Sequence, residues 1–222
     1  MTNIKVYLAD TEKSKMIHYH IRYQVYCSEL QFEDENNFPD QLERDDWDEH
    51  SIHFIAYDID SDEWVGAVRL LLSDGRQFVC ESLCGDLNID RTSAAEVSRL
   101  CVLPHIRRTS NEDGNRPGLL ITMKLIQAMM YYCVRHNIIN WYMITTSALI
   151  AVLKRLKLNV IKLGTGISHK GTRYPAVLSI DQSAIDWMNS IDGTPYEKYS
   201  ILESSVDHMF ISPLSIEHVL DN

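Results

Sequence analysis

Glu96, Ser98 and Arg99 sit in the stretch AAEVSRLCVLPHIRR, from Ala94 to Arg108. Their neighbours Val97, Leu100, Cys101, Val102 and Leu103 read as a buried strand, so ionisable groups are held close to a core. An α-amine is mostly protonated at neutral pH and must lose a proton before it attacks an acyl carbon; a carboxylate such as Glu96 is suited to take it. The same carboxylate could instead pair with Arg22, Arg69 or Arg99 in a structural ion network, and the two roles are compatible. In a regular strand Glu96 and Ser98 face one way and Val97 and Arg99 the other; a bulge would change that count.

Further charge falls in two places. Arg22 lies on the first amphipathic segment, with Tyr26 one turn on, and Asp45, Asp46 and Asp48 lie in a polar, aperiodic stretch from Gln31 to Glu49. Asp45, Asp48, His50 and His53 contain ligand-type side chains, but neither HExxH nor the glycine of a calcium loop is present, so no metal is assigned. Met123, Met129, Met130 and Met143 lie among Leu119, Leu125 and Ile126; they read as core, and an adaptable lining of this kind also suits a long acyl chain. Lys154, Arg155 and Lys157 end a helix, where the dipole favours positive charge, and with Arg107 and Arg108 they form local basic patches that an acidic partner can dock against. Cys101 reads as a small buried residue rather than a nucleophile.

The elements that must position these groups follow from periodicity. Strands are expected at Ile4–Leu8, His53–Ile59, Glu63–Leu72, Ala94–Leu103, Asn140–Thr146, Val160–Leu163 and Arg173–Ile180. Helices are expected at Lys13–Leu30, from Pro117 to about His136, at Ala148–Leu158 with Ser147 as N-cap, at Gln182–Ile191, and around Ile201–Met209. A helical turn is expected near Glu81–Cys84 and a polar loop over Thr109–Arg116. Antiparallel hairpins followed by a β-α-β-α run point to an α+β fold with a mixed sheet.

The totals exclude several classes. The chain has 222 residues, 45% hydrophobic and 23% charged, as in ordinary globular domains. A net charge of −10 argues against nucleic acid as a partner. Lys124 and Gln127 interrupt the longest apolar run, so no transmembrane segment is expected, and MTNIKVYLAD lacks the layout of a signal peptide. Five cysteines without a paired framework fit reduced thiols and a cytoplasmic location.

The ordered set Arg22-x3-Tyr26, Phe32-Glu33, Asp45-x2-Asp48, Gly66-x2-Arg69 and Glu96-x-Ser98-Arg99 resembles the bacterial acyl-homoserine-lactone (autoinducer) synthases. A closer likeness is to the PEP-CTERM/exosortase-associated acyltransferases and the related long-chain N-acyl amino acid synthases. IRYQVYCSELQFE, ERDDWDEHSIHF, EVSRLCVLPHIRR, NWYMITTSALIAVLKRLKL and HKGTRYPAVLSI carry it, covering most of residues 20 to 181. These families resemble the GNAT acyltransferase superfamily, which implies a twisted mixed sheet flanked by helices, with central strands that splay apart to admit a thioester. Residues 1–181 then form the N-acyltransferase domain and 182–222 a helical C-terminal extension of it.

The resemblance implies an enzyme that moves a long fatty acyl group from an acyl-carrier-protein thioester (or acyl-CoA) to a small-molecule amine such as an amino acid, with no tightly bound cofactor. It implies Glu96 as base, with Ser98 and Arg99 beside it, and backbone N–H groups of Leu100, Cys101 and Val102 polarising the thioester carbonyl. Arg22, Arg69 and Arg99 would orient the acceptor and hold Glu96, Asp45 and Asp48; Tyr26 and Phe32 would complete that pocket. Met123, Ile126 and Met143 would line the acyl tail, and Thr145 or Thr146 would hydrogen-bond the new amide. Arg107, Arg108, Lys154, Arg155 and Lys157 would receive acyl carrier protein. The alternatives are an autoinducer synthase using S-adenosylmethionine and a non-catalytic GNAT-like binding protein. Two departures stand out: Thr109–Arg116 replaces a compact Gly-rich pyrophosphate turn, and Tyr26 and Phe32 stand where autoinducer synthases usually carry Phe and Trp.

Overall fold

A computed structural model describes residues 3–73, 75–85, 87–108 and 116–191. The loop expected over Thr109–Arg116 (all but Arg116), the helix expected around Ile201–Met209 and most of the C-terminal extension lie outside the described residues.

The strands are β1 (Ile4–Leu8), β2 (Ser51–Asp58), β3 (Glu63–Leu72), β4 (Ala94–Val102), β5 (Asn140–Thr145), β6 (Asn159–Lys162), β7 (Ile167–Ser168) and β8 (Thr172–Ser179). The helices are α1 (Glu12–Arg22), α2 (Val79–Cys84), α3 (Pro104–Arg108), α4 (Pro117–Arg135), α5 (Ser147–Arg155) and α6 (Gln182–Ser190). The mixed sheet runs in the order β1-β2-β3-β4-β5-β8-β6, with β7 paired to the start of β8. Neighbours are antiparallel except β4 and β5.

Each face of the sheet is covered differently. On one side α4 presents Ile121, Leu125 and Met129 to Val6, Phe54, Val68 and Leu70, all buried. A helix apolar on so much of its circumference has to be enclosed. α4 has the length and hydropathy of a membrane span, but it packs as the core helix of this sheet. On the other side α1 packs Ile21 over Ile55, Ala67 and Cys101, with Val25 from the following turn. Thr11 caps α1 through reciprocal bonds with Ser14.

Three differences from the sequence reading have physical causes. The helix expected over Lys13–Leu30 is α1 followed by a π-helical turn, Tyr23–Glu29, in which Leu30 N–H reaches back to the Val25 carbonyl. Apolar spacing cannot distinguish the two, because an extra residue per turn leaves the buried face nearly continuous. The N-cap of α5 is Thr146, whose hydroxyl accepts from Leu149 N–H at 3.2 Å, rather than Ser147. In β4, Ala67 pairs with Cys101 and Arg69 with Ser98, so Arg99 and Leu100 together face Val68. Arg99 takes φ +53°, the left-handed conformation of a bulge.

Candidate functional site

That bulge sets the geometry of the site. It turns Arg99 onto the α1 side of the sheet, the side of Glu96 and Ser98, instead of the α4 side where Val97 and Leu100 pack. Arg69 projects from the neighbouring strand and Arg22 from the end of α1, both fully buried. Three guanidinium groups in so small a volume require carboxylates, and the chain supplies them from the loop before β2.

Arg22 donates to Glu43 at 2.5 Å and to Asp48 at 2.6 Å. Arg69 donates to Asp45 at 2.5 Å, Asp48 at 3.0 Å and the Ser98 hydroxyl at 2.9 Å. Arg99 donates to Glu43 and Asp45, each at 3.1 Å, and reaches Glu33 at 3.5 Å. Lys170 completes the cluster on Glu33. Four cations thus stand against four carboxylates. Burial opposes ionisation of Asp48, but Arg22 and Arg69 outweigh it and hold its carboxyl at about 2. Glu43 is also held below its ordinary value: burial opposes this, and Arg22 and Arg99 override it. Arg22 Nη2 has no hydrogen-bond partner among the described residues.

Two histidines close the rear of the cluster. His53 meets the Asp48 carbonyl at 3.0 Å and His18 the Val68 carbonyl at 3.2 Å, with ring centroids 4.5 Å apart. Burial lowers both, His53 to about 4, so the pair is neutral around pH 7. Among the described residues no group of three His, Cys, Asp or Glu is placed to hold a metal ion.

Glu96 stands apart from this network. It accepts backbone N–H bonds from the first turn of α2, Cys80 at 3.2 Å and also Val79. Burial, only partly offset by these donors and by Arg69, raises its carboxyl to about 7. The expectation that the arginines hold Glu96 by direct bonds is therefore corrected: Arg22 and Arg99 hold Glu43, and Arg69 holds Asp45 and Asp48. A buried carboxylate tuned close to neutral pH is what proton abstraction from an ammonium group requires.

Glu96 also marks the end of the parallel seam. β4 and β5 pair over three positions, Ala94, Ala95 and Glu96 with Asn140, Trp141 and Tyr142. Beyond it β4 runs on to Val102 against β3, and β5 to Thr145 against β8, with no register between them. The central strands therefore part, leaving the β5-side edge of Val97–Val102 without a strand partner among the described residues. Tyr26 donates its hydroxyl to the Leu100 carbonyl at 3.1 Å in this stretch and lies under the Arg99 guanidinium. Burial, with Glu43, pushes the Cys101 thiol up to about 12, which is wrong for a nucleophile.

The remaining expected residues fall as follows. Phe32 stacks beside Tyr26, and the Tyr26 carbonyl accepts from Phe32 N–H and Glu33 N–H, which ties the two backbones together. Ile126 and Met143 are buried in the α4-side core, with Met123 at its margin. Thr145 is buried opposite Tyr174, whereas the Thr146 hydroxyl is committed to the α5 cap, leaving Thr145 as the candidate for the new amide. Arg107 and Arg108 both bind Glu29. Lys154, Arg155 and Lys157 lie exposed at and just beyond the end of α5. Next to the network a cleft of about 690 Å³ is lined by Tyr19, Phe38, Asp45, Asp46 and Asp48 among others.

Glu43 and Lys170 were not singled out from the sequence, and Glu33 entered only beside Phe32 in the ordered motif set. Charge balance was the available signal for the carboxylates: three arginines near two aspartates call for more, and ERDDWDEH offers Glu43.

Comparison with known proteins gives this geometry its relatives. An acetyltransferase (GNAT) domain model matches residues 21–114. An acyl-homoserine-lactone synthase of Aliivibrio fischeri (strain ATCC 700601 / ES114) is 30% identical over 165 residues, 72% of this chain and 82% of the relative. A second Aliivibrio fischeri acyl-homoserine-lactone synthase is 28% identical over 152 residues, 65% of this chain and 73% of the relative. Among solved structures, the CoA-dependent acyl-homoserine-lactone synthase BjaI, with S-adenosylmethionine and isopentyl-CoA, shares the fold at TM-score 0.70 and 17% identity, covering 90% of this chain and 92% of its own. LasI does so at TM-score 0.65 and 15% identity, covering 85% and 95%. With its split central strands, its buried arginine–carboxylate network and this kinship, the chain belongs to the acyl-homoserine-lactone synthase family, built on a GNAT-type acyltransferase fold.

Proposed function

We propose that this protein transfers a fatty acyl group from a thioester donor to the α-amine of S-adenosylmethionine and releases an acyl-homoserine lactone. The observation that carries the reading is the juxtaposition of the β4–β5 opening with Glu96 at its closed end and the ion network on the same face. The acceptor is taken from the family: the Aliivibrio fischeri relatives are acyl-homoserine-lactone synthases, and BjaI was solved with S-adenosylmethionine.

In this reading the thioester enters between the parted strands, with its carbonyl oxygen toward backbone N–H groups of Leu100–Val102, where charge develops in the transition state. Glu96 takes a proton from the acceptor ammonium. The free amine attacks the carbonyl carbon, the C–S bond breaks, and the thiol leaves with a proton. The acceptor carboxylate then displaces the thioether from the sulfonium carbon and closes the lactone. Arg22 Nη2 and the partly exposed Arg99 are the guanidinium groups left to hold that carboxylate. The donor is acyl carrier protein, docked on Lys154, Arg155 and Lys157, or CoA. Arg107 and Arg108 take part only after leaving Glu29.

A second acceptor class, a free amino acid, is favoured by one feature. Phe32 and Tyr26 stand where autoinducer synthases usually carry Trp and Phe, so the aromatic surface for a nucleoside is smaller and a hydroxyl is added that binds β4. Purified protein incubated with long-chain acyl-carrier-protein or acyl-CoA and either S-adenosylmethionine or a panel of amino acids, followed by mass spectrometry, separates the readings. Acyl-homoserine lactone supports the first, N-acyl amino acid the second. No product with any pair would leave only a binding role for the fold.

A further inference from the structure

The two halves of the sheet meet at one end through the three parallel pairs of β4 and β5. β8 is antiparallel to β5, so its first residues lie at the far end, where the strands stand apart. There β7 and β8 form a hairpin, with Ser168 paired to Thr172. At its tip Lys170 and Gly171 both take left-handed backbone, φ +51° and +91°. The tip belongs to the β5–β8 half by connectivity, yet Lys170 and Arg173 reach across to the other half. Lys170 binds Glu33, which also meets Arg99 of β4, and the Arg173 guanidinium lies over the Phe32 ring at 5.8 Å. Closed end and open end are thus bridged by different chemistry: backbone hydrogen bonds at Glu96, and a partly exposed ion pair with a stacked cation at Lys170.

We propose that Lys170 is a positioning residue whose bond to Glu33 latches the open end of the β4–β5 slot over the bound acyl thioester, excluding water until the acceptor attacks. The inference rests on the acyl-transfer reading above. An ion pair with both side chains 27% exposed exchanges with water, so it can part to admit the donor and re-form, which the deeply buried Arg22–Asp48 pair cannot do. Arg99 shares Glu33 with Lys170, so latching also fixes a guanidinium at the acceptor side.

The test uses the full chain with an acyl-thioester donor and no acceptor. Water attack on the thioester carbonyl then gives free fatty acid and thiol, and its rate reports how open the slot is. K170A is expected to raise this hydrolysis about 10-fold, with K170R close to the parent protein and E33Q matching K170A from the other side of the bond. The K170A/E33Q pair should be no worse than either single change. Amide hydrogen exchange should quicken in residues 31–34 and 168–173 in K170A and E33Q, and not in K170R. Unchanged hydrolysis or unchanged exchange in both K170A and E33Q overturns the latch. Neither readout needs an acceptor, so the latch is judged even if transfer to S-adenosylmethionine fails; that failure would count against the acceptor assignment alone.

Discussion

Two carboxylates of the same residue type illustrate how environment assigns role. Glu43 is surrounded by Arg22 and Arg99 and stays ionised, whereas Glu96 receives backbone N–H groups and the Cys80 thiol and rises to about 7. Glu96→Gln is expected to lower kcat by about 10²–10⁴-fold while leaving the circular-dichroism spectrum unchanged. In the parent enzyme the rate should climb as pH rises through about 7, because the base must be ionised. The stability effect has the opposite sign. Between its ordinary 4.5 and about 7, folded Glu96 binds more protons than the unfolded chain, so stability falls as pH rises through that window. The Tm advantage of Glu96→Gln should therefore widen from pH 5 to pH 8. Glu43→Gln should instead lower stability at neutral pH, because buried Arg22 keeps Asp48 but loses one of its two carboxylates, and the deficit should shrink as pH falls below the ordinary 4.5 and the parent Glu43 takes up a proton. Removing one partner of such a pair costs about 3–5 kcal/mol, read from urea unfolding. Residue type and order brought Arg22, Asp45, Asp48, Arg69, Glu96 and Arg99 together in the sequence reading, and the fold places all but Glu96 in one network. Glu96 departs because its partners are the backbone amides of Val79 and Cys80 and the Cys80 thiol, all from the short α2, which no charge pattern reveals.

At the scale of elements, periodicity located each strand that carries the site; β3 falls at Glu63–Leu72 and β4 within one residue of its expected end. What it could not give was the bulge. Alternation assigns Arg99 to the wrong face, and the one-residue insertion that corrects it is visible only in the pairing with β3. The two-residue β7 and the short α3 escaped for a related reason: segments of two to five residues carry too few positions for a period. Where α4 crosses β3, close approach depends on Gly66. A Cβ there would stand 3.0 Å from Ile121 Cγ2 and 3.1 Å from the Cys101 carbonyl oxygen. Gly66→Ala is expected to destabilise by about 1–3 kcal/mol in denaturant unfolding, since both neighbours are buried and one is backbone.

Over the whole molecule, charge is unevenly spread: a chain of net charge −10 keeps Lys154, Arg155 and Lys157 exposed around the end of α5. If acyl carrier protein is the donor, the double change Lys154→Glu and Arg155→Glu should raise its KM about 10-fold and leave that for acyl-CoA unchanged, measured by thiol release.

Chain order and sheet order coincide around the parting of β4 and β5. Residues up to Arg108 supply β1–β4, Glu96 and all of the acid–arginine network except Lys170; residues from Pro117 supply α4, β5, β8 and the apolar residues expected to meet the acyl tail. The molecule is thus modular in inheritance as well as in space. A relative could exchange its second half and alter chain-length preference without rewriting the chemistry of the first. Chimeras joined between Arg108 and Pro117 should accordingly keep the acceptor of the N-terminal parent and take the acyl length of the C-terminal one, as mass spectrometry of their products would report.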